Sequence, residues 1–150
     1  MASTFTHLVY HVVFSTKHRD PLITATLRDE LYKYIGGIIR GEGGKLLEIG
    51  GVTDHVHIVA KSKADVSVAR LLRLIKANSS KWANERPKRN GRFGWQTGYA
   101  AFSISESQIS KVRAYVRNQE RHHRRLSFKD ELVVLLRKHG IDYDDRYLCD

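Results

Sequence analysis

The stretch from Lys45 to Lys61 constrains the fold more than any other. Lys45 to Val52 (KLLEIGGV) and His55 to Lys61 (HVHIVAK) are apolar, β-prone runs separated only by Thr53 and Asp54. So short a turn predicts an antiparallel hairpin. In its second arm His55 and His57 flank Val56. Alternate side chains on a strand point the same way, so the two imidazoles can share one metal ion. By the same period Val56 and Ile58 point into the core and His55 and His57 to the opposite side.

The rest of the chain arranges itself around this hairpin. His7 to Phe14 (HLVYHVVF) reads as a strand apolar on both faces, which suggests a central place in a sheet. Leu27, Leu31, Tyr34, Ile35 and Ile38 recur at helical spacing, with Thr26 and Asp29 as a capping box and the glycines from Gly36 to Gly44 as its end. Val68, Leu71, Leu72 and Ile75 predict a second amphipathic helix running to about Glu85. Arg86 to Gly94 is a basic loop containing Pro and Gly, and Trp95 to Ser105 reads as a fourth strand. Ser105 or Ser107 would cap a third helix through Ile109, Val112 and Val116 to about His123. A fourth helix starts near Ser127 and stops at Gly140, and the acidic tail from Ile141 to Asp150 reads as loosely docked. The order β-α-β-β-α-β followed by helices predicts one α+β domain over residues 1–150. Its sheet would be ferredoxin-like (RRM-like) and antiparallel, with two helices on one face and the other face free for function.

Charge points to the partner class. The 26 Lys and Arg against 16 Asp and Glu leave a formal charge of +10. Nucleic acid is the first polyanion to consider, ahead of an anionic membrane surface, because basic groups near phosphates release condensed counterions. A single cysteine, Cys149, excludes an internal disulfide framework and a cysteine-rich zinc site. No stretch approaches the roughly 20 apolar residues of a bilayer span, so the expectation is a cytoplasmic protein without a membrane partner.

A histidine pair alone is a weak sign of a metal, and it needs a third donor. On the third helix Tyr115 and Gln119 lie one turn apart at the edge of the arc formed by Ile109, Val112 and Val116, so a phenol and an amide can face one point. The simpler local reading makes Tyr115 an amphipathic border residue and Gln119 its solvated neighbour. Taken with the histidine motif, the charge and the fold, the pair supports a different reading. The sequence resembles the insertion-sequence transposases of the HUH type, which use one catalytic tyrosine and act on single-stranded DNA. The resemblance is carried by Asp54 with His55-Val56-His57, by Trp95-Gln96 with Gly98-Tyr99, and by Tyr115-Val116-Arg117-Asn118-Gln119 ahead of His122-His123.

That resemblance implies that His55, His57 and Gln119 bind a divalent metal and that Tyr115 is the nucleophile. Mixed N/O ligation suits Mg²⁺ or Mn²⁺, though histidines also accept Zn²⁺. It further implies a 5′-phosphotyrosine with release of a 3′-hydroxyl, recognition of hairpins at element ends, and a homodimer in which one subunit's tyrosine helix can complete its partner's site. A phenol with a pKa of about 10 needs local positive charge or a base to attack at neutral pH. His122 lies near Tyr115 on the helical wheel and can assist proton transfer, although a solvated basic helix end is the simpler reading. Arg117 and Arg121 on the third helix, Arg73 and Lys76 on the second, and Lys88, Arg89 and Arg92 in the loop are candidate DNA contacts. Arg113, Arg124 and Arg125 add to the same charge. Two other readings compete. One is a non-catalytic nucleic-acid-binding domain of the same fold, for which no RNA-binding signature is present. The other is a phosphoesterase of small nucleotides, which would need two histidine motifs.

Overall fold

A computed structural model describes residues 2–87, 91–123 and 125–148. Lys88, Arg89, Arg124 and Cys149 lie outside them. The hairpin has the expected bounds: β2 is Lys45–Val52 and β3 is His55–Lys61. β1, Val9–Ser15, pairs antiparallel with β3, and β4, Ala100–Ser103, pairs with the other edge of β1. The sheet order is therefore β2-β3-β1-β4, the ferredoxin-like arrangement. β4 is shorter than the expected Trp95–Ser105 strand. Trp95 makes only an isolated bridge to Thr16, and its ring packs edge-on against Phe14 and Phe93 while Nε1 donates to Ser79.

Helices α1, Ala25–Gly41, and α2, Val68–Asn84, cover one face of the sheet. There Leu31, Ile35, Ile39, Leu72 and Ile75 pack on Val12, Phe14, Val56 and Ile58. Thr24, not Thr26 with Asp29, caps α1, because its hydroxyl accepts the Leu27 N–H. Gly36 and Gly37 stay helical, and the turn comes at Gly43, whose φ of +80° favours glycine.

The second face is not free. α3, Ile109–Arg117, the short α4, Gln119–His122, and α5, Phe128–Lys138, lie across it. Val116 packs on Val9 and Val59, while Phe128, Leu132 and Leu136 pack on Val13 and Phe102. A strand apolar on both faces already requires two covers, and β1 has both. The expected third helix is broken at Asn118, so Tyr115 and Gln119 belong to consecutive helices. The tail is seated: Leu148 is buried in the α5 cluster, with Tyr143 packed against it. Among the described residues no helix is long and apolar enough to cross a membrane.

Candidate active site

The alternation of β3 sends His55 and His57 under the second layer, where both are fully buried. Each imidazole uses its two nitrogens differently. His55 Nδ1 donates to Asp54 Oδ1 at 2.7 Å, and its Nε2 lies 3.1 Å from Gln119 Oε1. His57 Nδ1 lies 2.8 Å from His11 Nε2, and its Nε2 lies 2.9 Å from Glu131 Oε1. Both Nδ1 atoms thus have outer partners, and both Nε2 atoms point to one centre. Histidine ligands of metals are held this way, the second nitrogen being fixed by an acceptor behind the ring.

Glu131 of α5 stands at that centre and is 1% exposed. Oε1 faces His57, His123 Nε2 at 3.0 Å and His55 Nε2 at 3.4 Å. Oε2 accepts from Gln119 Nε2 at 3.1 Å and from the Tyr115 hydroxyl. Tyr115 is itself framed by rings: His122 stacks on it with centroids 4.6 Å apart, and His57 meets it edge-on at 5.8 Å.

The electrostatics follow from burial and these bonds. Burial alone would raise the Glu131 carboxyl, but hydrogen bonds from His123, His55 and His57 hold it far below the carboxylate range. Burial alone would likewise depress His55, yet its bonds to Asp54 and Glu131 raise it to about 9. Burial lowers His57, and lowers His11 to about 3 with the help of His57 nearby. The Tyr115 phenol is pushed well above its usual range by burial first, and then by its bond to the Glu131 carboxylate.

The donor set fits a divalent ion. One ligand atom each from His55, His57, His123 and Glu131 lies within 4.8 Å of all the others, and Gln119 adds an amide oxygen beside His55. Tyr115 and Glu131 line a cavity of about 440 Å³ shared with Arg121, His122 and Arg125. Arg117 and Arg121 line a neighbouring one with Arg28. Arg117 also pairs with Glu48 at 2.9 Å. Arg73 and Lys76 sit on α2, in the layer across the sheet from the histidines. Lys76 is committed to the carbonyls of Gln96, Thr97 and Gly98. Arg92 is exposed in the loop after α2.

Three residues of the cluster lie beyond the ligand set read from sequence: His11, His123 and Glu131. Glu131 was detectable, since it falls on the apolar arc of Phe128, Leu132 and Leu135, where an acidic residue needs a partner. His11 gave the same kind of signal between Val9 and Val13.

Known proteins resemble this chain in sequence and in fold. The chain is 22% identical over 124 residues to the transposase for insertion sequence element IS200 of Salmonella typhimurium, covering 79% of this chain and 81% of that protein. Its counterpart from Salmonella typhi matches to the same extent. Among solved structures, a Deinococcus radiodurans R1 chain described as a transposase superposes with a TM-score of 0.61 at 20% identity, over 79% of this chain and 95% of that one. A REP-associated tyrosine transposase bound to a REP hairpin superposes with a TM-score of 0.53 at 15% identity, over 77% and 68%. These two superpositions establish the shared fold. Residues 4–119 match the family described as "Transposase IS200 like", which is most of the chain, and the protein belongs to that family of transposases.

Proposed function

We propose that this transposase cleaves and rejoins single-stranded DNA through a 5′-phosphotyrosine at Tyr115. The observation that carries the reading is the convergence of the Tyr115 hydroxyl, the Nε2 atoms of His55 and His57 and the Gln119 amide around one buried point. His55, His57 and Gln119 would hold Mg²⁺ or Mn²⁺, which when bound polarises the phosphodiester and offsets the charge that builds on it. The Tyr115 oxygen bonds to phosphorus as the bond to the 3′ oxygen breaks, and the phenolic proton ends on the released 3′-hydroxyl. The phosphotyrosine keeps the energy of the broken bond, so a 3′-hydroxyl attacking it rejoins a strand without a nucleotide cofactor.

Arg121 and Arg125 line the cavity onto which Tyr115 opens, which suits them to the flanking phosphates. Arg117 extends that basic rim, and Arg73, Lys76, Lys88, Arg89 and Arg92 are the more distant candidates. His122 lies against the Tyr115 ring and serves to orient it, with proton transfer as a further role. The partner we infer is hairpin-containing single-stranded DNA in the cytoplasm, in line with the hairpin bound by the REP-associated transposase. A homodimer is the inferred assembly. Because one chain already holds its own Tyr115 beside its own histidines, a site complete within each subunit is favoured over one completed in trans.

Incubating Tyr115→Phe with hairpin DNA and Mn²⁺ tests the reading. The expected result is no covalent protein–DNA adduct, and cleavage with an adduct at the wild-type level overturns it. A non-catalytic RNA-binding domain would instead bind RNA preferentially and without metal. Against that alternative, the sheet face such a domain would use lies beneath α3–α5.

A further inference from the structure

Glu131 meets Tyr115, His55, His57 and Gln119, yet it comes from a different part of the chain. The family match ends at residue 119, whereas His123 and Glu131 lie beyond it, on the exit of α4 and on α5. We propose that Glu131, together with His123, belongs to the metal-binding set, and that its second carboxylate oxygen fixes the Tyr115 hydroxyl beside that set. One side chain from the C-terminal segment then couples the ion to the nucleophile. The inference rests on Tyr115 being the nucleophile.

Three observations carry it. First, the two carboxylate oxygens divide their work. Oε1 meets the imidazoles of His57 and His123, and Oε2 meets Tyr115 and Gln119, so ligation through one oxygen leaves the other free to hold the phenol. Second, the charges balance with a divalent cation. Glu131 is a buried carboxylate and Asp54 lies directly behind His55, so two negative groups stand beside the point where a divalent ion would bring two positive charges. Third, the helix that carries Glu131 is rigidly seated. Ser127 caps α5, and Phe128, Leu132 and Leu136 pack it on the sheet, as a ligand-bearing element requires. Three imidazoles with one carboxylate also favour Mn²⁺ over Mg²⁺, which prefers oxygen donors and retained waters.

Titrating the metal-free, DNA-free protein with Mn²⁺, read by electron paramagnetic resonance, tests this apart from activity. Glu131→Gln and His123→Gln should each weaken Mn²⁺ binding by about tenfold or more, while Tyr115→Phe should leave it within about twofold. Wild-type protein should prefer Mn²⁺ to Mg²⁺. Glu131→Gln should also slow adduct formation at saturating hairpin DNA without raising KM for the DNA, since it loosens the nucleophile and not the DNA contacts. His123→Gln probes the same ligand set at the edge of the cluster, without altering the buried carboxylate. Wild-type Mn²⁺ affinity in both Glu131→Gln and His123→Gln overturns the inference, as does adduct formation by Glu131→Gln at the wild-type rate. Either result leaves the Tyr115 reading intact, whereas an adduct formed by Tyr115→Phe defeats that reading itself.

Discussion

The helix that carries Tyr115 rests on a glycine, and replacing that glycine should cost both stability and adduct formation. Gly50 of β2 lies opposite His57 in the β2–β3 ladder, and α3 crosses it so closely that a Cβ there would sit 2.2 Å from the Val116 carbonyl oxygen. Real Cβ atoms essentially never come within 3.0 Å of a neighbour, so in Gly50→Ala the obstructing atom, which is backbone, must retreat by at least the difference, 0.8 Å. Tyr115 is the preceding residue and moves with it. Overpacking of this kind costs about 1–3 kcal/mol, which denaturant melts will read. Misplacing a reacting group by about 1 Å can cost about 100-fold in rate, so adduct formation under single-turnover conditions should fall by about one to two orders of magnitude. Gly41→Ala is the control: a Cβ there meets nothing within 4 Å, and both stability and rate should hold or rise slightly. If Gly50→Ala forms adduct at the wild-type rate, the seat of α3 on β2 does not position Tyr115.

Three further outcomes follow from the same geometry. The metal-free protein should be most stable near pH 6.5. Below that pH the unfolded chain gains protons that His11, lowered to about 3, and His57 refuse when folded; above it, the contribution of His55, raised to about 9, is progressively lost. Thermal melts from pH 4 to pH 9 should show a fall on both sides, on the order of a few kcal/mol in acid, and a melting temperature that climbs steadily across this range would refute the assignment. Arg121→Ala should weaken hairpin binding and reduce the salt slope by about one, as measured by fluorescence anisotropy at several salt concentrations; an unchanged slope would remove Arg121 from the DNA surface. Mixing Tyr115→Phe with His57→Ala protein should restore no adduct if each site is complete within its own subunit, and recovery of activity would show exchange of the tyrosine between subunits.

What could be read from the chain was local. The hairpin bounds rest on a two-residue turn and a period of two, and α2 rests on four apolar residues at helical spacing, and both appear where expected. The break at Asn118 has no comparable signal, because nothing in Arg117-Asn118-Gln119 forbids a continuous helix; it was invisible to spacing alone. The second cover of the sheet was half legible. β1 is apolar on both sides, but only packing decides that α3–α5 fold back over His55 and His57. Glu131 meets His57 across 74 residues of sequence, a juxtaposition that depends on the whole β1–α5 arrangement. Its position on an apolar helical face announced a partner without saying which.

The pairing of β3 between two neighbours has a consequence for folding as well as chemistry. His57 is opposite Val13 on one side and Gly50 on the other. Sliding β3 by one residue would turn both imidazoles toward Leu31, Ile35 and Ile75, and would offer Val56 and Ile58 to a buried carboxylate left without partners. Such a misaligned chain would carry stranded polar groups in two layers at once. The residues to which we assign the active site therefore also proofread the sheet, penalising any alignment that would scatter that site.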